Sequence, residues 1–401
     1  MNIGVWIGSA VNPQMGGGYS YIAKLIHEID NHSFPNDICI KFLSRYDGWR
    51  LNNEVIVLSL LPACVRRWML KLDCCGLLSR VEWKLQRIIG IKKLLKKKDI
   101  KLIYYLTQGE CLFPDFPFVA TNWDIGHCST YAFPELVYNN NFYFRNKFYT
   151  EVLPKALLVL CESETGKQEL LDYTTVGKHK IRIVPMFAGN VSTLKISEST
   201  SYLTLCNLGI EKEKYFFYPA QFWAHKNHYN LLQAFHSFRQ IHEGYKLVLC
   251  GSDKGNLSYV KDCCEKLNLV EDVIFLGFVS EEVLYTLYKY CVSFIMASHF
   301  GPTNMPPIEA MEIGCPVICS DLGGHREIMG DSAIYFDSFS PDSILQAMEE
   351  IISRRDYYLG KVQNQRSVTK FNVLHAINAL EQCLLEAVEI RSNWNLKFPT
   401  P

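Results

Sequence analysis

No apolar run in this 401-residue sequence approaches the roughly 18 residues that a membrane-spanning helix requires, so no helical span is expected. An excess of one charge is lacking too. The 41 Lys and Arg are matched by 41 Asp and Glu, which removes the global field that nucleic-acid binding would need and moves the search for a partner to local sites. Fifteen cysteines form no C-x-x-C pair, and no basic n-region opens the chain. Neither a disulfide scaffold nor a secretory signal is indicated, and a reducing cytoplasm fits. The pairs Cys74-Cys75 and Cys263-Cys264, and Cys315 with Cys319, lack zinc spacing and read as buried thiols, so no metal ligands are assigned. Also missing are G-x-x-x-x-G-K-[ST], H-E-x-x-H and G-x-S-x-G, the signatures of P-loop, zinc-protease and serine-hydrolase chemistry.

What is present is an ordinary globular composition, 48% hydrophobic and 20% charged, on a chain long enough for two or three domains. Apolar runs of strand length alternate with helical patterns throughout, which places the chain in the α/β class with parallel sheets. Strands are expected at Ile3–Ile7, Val55–Leu60, Leu102–Leu106, Phe118–Thr121, Leu157–Leu160 and Ile181–Val184. Phe187–Leu208, rich in Ser, Thr and Asn and without a clear period, reads as a linker. The alternation then restarts, with strands at Tyr215–Tyr218, Lys246–Cys250, Val273–Leu276, Val292–Met296 and Pro316–Ser320. Helices are expected at Asn227–His242, Leu257–Leu267, Glu281–Tyr290 and Pro306–Ile313. Two Rossmann-like, doubly wound domains, 1–200 and 201–375, would then face a central cleft where open α/β sheets bind ligands. A last helix near Val373–Ile390 would begin a tail, 376–401, that packs back on the first domain.

One stretch departs from neutrality. Val65–Lys101 holds 12 Lys or Arg against three acids, and the 77–89 segment gathers Leu77, Leu78, Val81, Leu85, Ile88 and Ile89 on one helical face. Such a basic amphipathic helix either lies on an anionic bilayer or covers the protein core with its lysines solvated.

The strongest chemical signal is Phe300–Ile318, FGPTNMPPIEAMEIGCPVI. Gly301, Pro302 and Thr303 make a turn after a strand, and Pro306 or Pro307 opens a helix, so the helix N-terminus faces the cleft. Backbone N–H groups near Asn304 and Met305, with the positive end of the macrodipole, suit a phosphate or diphosphate. Glu309 either complements that dipole or accepts two hydroxyl hydrogen bonds from a vicinal diol such as a ribose. In the first half, QMGGGY at Gln14–Tyr19 offers Gly16, Gly17 and Gly18, which either bring backbone N–H groups to a diphosphate or form a tight turn.

The Phe300–Ile318 segment, with Ser320–Gly324, Glu327, Gly330, Asp331 and Asp337 after it, resembles the donor-binding half of family-four retaining glycosyltransferases of the GT-B fold. The resemblance implies a metal-independent hexosyltransferase that uses a nucleotide-diphosphate sugar as substrate and needs no cofactor. It implies that Glu309 holds the ribose, that the Asn304–Met305 backbone caps the diphosphate, that Gly251 and Val279 line the donor site, and that Thr303, Asn304 or a backbone group there replaces a carboxylate the family carries. Tyr218–His228, YPAQFWAHKNH, is similar to the family's strand-to-helix turn where an Arg and a Lys grip the pyrophosphate; here those places hold Gln221 and Lys226. A fixed cation at Lys226 suits the charge that grows on a leaving diphosphate. Thr121–Glu135 resembles the segment whose His contacts the transferred sugar, which points to His127, with Asp124 orienting it or an acceptor hydroxyl. The family's first glutamate, eight positions before Glu309, is Gly301 here, so donor identity does not transfer. No D-x-D occurs, unlike the metal-bridged GT-A type.

The resemblance extends to bacterial enzymes that build O antigen or capsule. It implies a hexose, with GDP-mannose expected over a UDP sugar, moved to a lipid-linked oligosaccharide by a protein peripheral on the cytoplasmic face of the inner membrane. The alternatives are a GT-B epimerase acting on a nucleotide sugar alone and a binding subunit without turnover.

Overall fold

The computed structural model describes residues 1–8, 17–45, 48–58 and 91–394. Strands β1 (Asn2–Gly8), β2 (Cys39–Ser44), β3 (Val55–Val57), β4 (Ile100–Tyr105), β5 (Phe118–Asn122), β6 (Leu158–Cys161) and β7 (Ile181–Ile183) form one sheet in the order β3-β2-β1-β4-β5-β6-β7. A second sheet has the order β10-β9-β8-β11-β12-β13. Its strands are β8 (Tyr215–Pro219), β9 (Lys246–Cys250), β10 (Val273–Phe275), β11 (Ser293–Met296), β12 (Val317–Ser320) and β13 (Ala333–Phe336). All pairings among these strands are parallel. Helices cover the sheets, so strands such as YFFYP and SFIM are apolar on both faces and buried almost throughout.

Both sheets reverse their winding beside the first strand, between β1 and β4 in one lobe and between β8 and β11 in the other. Doubly wound sheets bind ligands outside the carboxyl ends of the strands at such a reversal. The segments after β8 and β11 are Gln221–Lys226 and Phe300–Asn304, the two that carry the chemical signal.

Four expectations need correction. β2 was not expected, because Lys41 interrupts its apolar run; the Lys41 ammonium is balanced by Glu54 Oε2 at 3.1 Å. β13 was not expected either, being only four residues long and directly behind a turn at Gly330. β3 ends at Val57, so Leu58 falls outside it, and residues 59 and 60 of the expected strand lie outside the described residues. The expected linker contains a helix, Glu198–Asn207, capped by Ser197 Oγ; Tyr202 and Leu203 are exposed on it and only Ser201 and Leu205 are buried, so its apolar residues mark no face.

The last helix, Val373–Ser392, rests on the first lobe, where Glu381 meets His32 at 2.6 Å and Glu386 accepts from Arg182 Nε at 2.8 Å. Most of the basic amphipathic stretch, including its apolar face at 77–89, lies outside the described residues. The described part is a short helix, Ile91–Lys97, beyond which Lys98 and Lys101 pair with Glu54 and Asp99. Among the described residues no helix is long and apolar enough to cross a membrane.

Candidate functional site

A cavity of about 760 Å³ opens between the carboxyl ends of the two sheets. Its second-lobe wall starts with the turn after β8. Asn227 takes the left-handed conformation (φ +57°), and its side-chain amide donates to Ala297 O and Ser338 O at 3.0 and 2.7 Å. Those bonds pin the single 3₁₀ turn Ala224–Lys226, and Tyr218 donates its hydroxyl to Lys226 O at 2.8 Å. The ammonium of Lys226 is thereby set on the cavity wall, where it donates to Asn304 Oδ1 at 3.1 Å. Burial lowers its pKa to about 8, with the charges of Glu135 and Asp124 partly offsetting the effect.

The segment after β11 supplies the adjoining wall. The helix Met305–Ile313 carries prolines in its first turn, which have no N–H to leave unsatisfied, while the first-turn N–H of Met305 has no intrahelical acceptor. Asn304 holds the N-cap position in extended backbone, yet its side chain makes no cap bond; it turns instead to Lys226 and to His325. Close approach is built in here. A Cβ on Gly324 would stand 1.7 Å from Pro302 O, and one on Gly251 (φ +154°) would stand 2.4 Å from Ala220 O, so both positions require glycine.

Glu309, one turn farther along the helix, is buried at 4% exposure and accepts from the Tyr288 hydroxyl at 2.9 Å. Burial raises its carboxyl pKa to about 7, although bonds from Tyr288 and from the Gly189 N–H favour the ionised form. Lys226 and Glu309 therefore share one cavity with Gln221, Gly251, Val279, Thr303, Asn304 and Met305. Gln221 accepts from the Trp223 indole at 3.0 Å. Thr303 lines the cavity, but its hydroxyl points across the lobes to Ser163 Oγ at 2.9 Å.

The first-lobe residues differ more from expectation. Gly16 lies outside the described residues. Gly17 and Gly18 are not a loop: they open the helix Gly17–Asn31, and Gly18 lines the cavity. Asp124 also lines it, but its carboxylate is fully engaged with Arg145, with Gln108 Nε2 at 2.9 Å and with the Gly126 N–H at 2.9 Å. Burial works against its ionisation, yet Arg145 and these donors hold its pKa below the usual value. It does not orient His127. The short helix Gly126–Ser129 turns the His127 ring away from the cavity wall and against Phe142 and Tyr149, with centroids 5.8 and 5.1 Å apart. Neither ring nitrogen has a hydrogen-bond partner, and burial lowers the pKa to about 4, so this histidine is a neutral core side chain.

Sequence reasoning missed two contacts that shape the cleft. Glu135 of the first lobe accepts from the His225 backbone N–H at 3.0 Å and from its ring Nδ1, joining the lobes beside Lys226. Glu327 of the second lobe accepts from the Glu164 and Thr165 N–H groups at 3.0 and 3.1 Å, capping a first-lobe helix. Each pair is separated by 90 residues or more, and no local pattern announces either.

Residues 207–367 match the profile of the family described as Glycosyl transferases group 1. Over 236 residues, 55% of this chain and 59% of the relative, the sequence is 25% identical to O-antigen chain mannosyltransferase B of Escherichia coli. Over 273 residues, 65% of this chain and 68% of the relative, it is 26% identical to an N-acetylgalactosamine-N,N'-diacetylbacillosaminyl-diphospho-undecaprenol 4-alpha-N-acetylgalactosaminyltransferase of Campylobacter jejuni. The chain spans about half the length of several curated relatives it matches. Among solved structures, Anabaena Alr3699/HepE in complex with UDP and glucose superposes with a TM-score of 0.70, covering 95% of this chain and 99% of that one at 17% identity. That likeness is one of fold, and it extends over both lobes.

Proposed function

Since this chain belongs to the glycosyl transferases group 1 family and folds as a two-lobed GT-B protein of the bacterial polysaccharide type, we propose that it transfers a hexose from a nucleotide-diphosphate sugar to a lipid-linked glycan. The observation that carries the reading is the convergence of Lys226, the helix end at Asn304–Met305 and the Glu309 carboxylate on one cavity at the sheet reversal. Lys226 and the helix dipole hold the diphosphate. Glu309 accepts hydrogen bonds from the ribose. The second lobe thus takes the nucleotide, and the first lobe, whose wall includes Tyr21, Trp123 and Asn141, faces the sugar and the acceptor.

The proposed chemistry retains configuration. The acceptor hydroxyl attacks the anomeric carbon on the face from which the diphosphate leaves. The C–O bond to the phosphate breaks, and the departing phosphate oxygen takes the hydroxyl proton. In support, the two carboxylates on the first-lobe wall are occupied, Asp124 by Arg145 and Glu135 by His225, so neither is free to form a covalent sugar intermediate. The ammonium and the helix end supply positive charge where negative charge develops, which is the task a metal ion performs in other transferases. The mannosyltransferase relatives favour GDP-mannose as donor, and the diphospho-undecaprenol in the name of the Campylobacter relative favours a polyprenyl-diphosphate acceptor at the cytoplasmic membrane face.

The test incubates the protein with a panel of GDP and UDP sugars and a polyprenyl-diphosphate oligosaccharide. Release of nucleoside diphosphate together with a one-hexose mass increase of the glycan is the expected result. Failure to bind any nucleotide sugar would refute the reading. Flotation with anionic vesicles at low salt tests membrane contact, and absence of binding would remove that part alone.

A further inference from the structure

We infer that His325 is a positioning residue for the diphosphate site: through the side-chain amide of Asn304 it fixes which face of that amide meets Lys226. The inference rests on the proposed donor site and extends it to a residue that does not line the cavity. His325 is completely buried in the helix Gly323–Met329. Its Nδ1 lies 2.8 Å from Ser320 O, a carbonyl that can only accept, so Nδ1 carries the proton. Burial lowers the pKa of this ring to about 4, which leaves Nε2 unprotonated and able only to accept.

That tautomer decides the rest. Nε2 lies 3.0 Å from Asn304 Nδ2 and accepts from it, which leaves Oδ1 on the opposite side of the amide, 3.1 Å from the Lys226 ammonium. A flipped amide would set donor against donor, NH₂ against the ammonium, and acceptor against acceptor, Oδ1 against Nε2. The backbone of Ser320 thus orients a cationic group two side chains away. Gly324 makes the arrangement possible, because the helix carrying His325 passes so close to Pro302 that no Cβ fits between them.

The test compares His325→Gln, whose amide oxygen can occupy the place of Nε2 as acceptor, with His325→Asn, which keeps a donor toward Ser320 O but loses the acceptor. Calorimetry measures binding of GDP and UDP and of the corresponding nucleosides, with thermal unfolding as the check on folding. His325→Asn is expected to weaken diphosphate binding about tenfold while nucleoside binding changes less than twofold, and His325→Gln is expected to stay within threefold of the parent for both. Equal weakening of nucleoside and diphosphate, or no weakening of either, would overturn the inference. The double variant His325→Asn, Asn304→Ser supplies an independent reading: it should bind diphosphate no more weakly than Asn304→Ser alone, and additive losses would also overturn it. A parent protein that binds no nucleotide would instead refute the proposed function, so the two failures are distinguishable.

Discussion

Removing the ammonium of Lys226 tests the proposed diphosphate site directly. The charge is already desolvated in the free protein, as its pKa near 8 records, so much of the cost of burying it precedes donor binding. A phosphate oxygen about 4 Å from the ammonium at an effective dielectric near 20 gains about 4 kcal/mol, which corresponds to roughly a thousandfold. Removing one preorganised donor from an oxyanion site costs about 10²–10³ in rate, so the two estimates agree. Lys226→Met, which keeps the apolar stem, is expected to lower kcat/KM for the nucleotide sugar by about 10²–10³, with an unfolding midpoint at or above that of the parent because a buried cation is gone. Nucleoside diphosphate release, followed chromatographically at low donor concentration, measures it, and a variant retaining more than a tenth of the activity would refute the assignment. The same two groups set a pH window. Lys226 is charged below about 8 and Glu309 is ionised above about 7, so kcat/KM should trace a narrow bell with limbs near those values. Lys226→Arg should move the alkaline limb upward, and a profile flat from about pH 6 to 9 would show that neither group governs donor capture.

Three further outcomes follow from individual contacts. The raised pKa of Glu309 means that the folded protein binds this proton more readily than the unfolded chain; its contribution to stability is full below about pH 4.5 and is lost as pH rises through about 7. Glu309→Gln should therefore flatten that part of the stability curve and unfold at or above the parent temperature at pH 8, while donor KM rises at least tenfold; a lower unfolding temperature at that pH would contradict the reasoning. Gly324→Ala places a methyl 1.7 Å from Pro302 O, so the loop carrying Thr303 and Asn304 must move; a loss of about 1–3 kcal/mol in urea unfolding and weaker nucleotide binding are expected, and unchanged binding would count against the packing argument. His127→Phe should leave transfer within about threefold of the parent, because the ring is neutral and packed between Phe142 and Tyr149; a hundredfold loss would return that histidine to the chemistry.

The sequence exposed those parts of the site whose geometry is local. Phe300–Glu309 combines a glycine turn, three prolines and a helix start within ten residues, and Gln221–Lys226 follows directly on a strand, so both could be placed at strand ends without knowledge of the other lobe. Partners that meet across the fold were not legible. Asn304 reaches Lys226 over 78 residues and Glu135 reaches His225 over 90, and nothing near either residue in the chain specifies its counterpart. His127 is singled out by the resemblance of its segment, and the expected orienting contact from Asp124 is not formed, because Arg145, 21 residues downstream, takes the carboxylate. The Gly16–Gly18 run suggested a loop because three glycines disfavour a helix, yet Gly17 and Gly18 sit at a helix start, where the propensity cost matters least.

The departure at Gly301 has a steric explanation that yields a prediction of its own. The resemblance implies a glutamate there, and its absence suggests an empty position that a carboxylate would refill. The structure argues for an exchange instead. Gly301 has φ +135°, a conformation that side-chain-bearing residues rarely adopt, and a Cβ on it would stand 2.6 Å from Asn304 Nδ2. The amide of Asn304 fills the space that a side chain at 301 would need, so a glutamate at 301 and the present Asn304 rotamer exclude each other. Gly301→Glu should therefore weaken GDP and UDP binding at least tenfold rather than improve it, since displacing the amide also releases Lys226. Combining it with Asn304→Gly, which clears the space, should recover part of the loss. If Gly301→Glu alone binds nucleotide as tightly as the parent, the amide does not occupy the glutamate's place, and the exchange fails as an explanation.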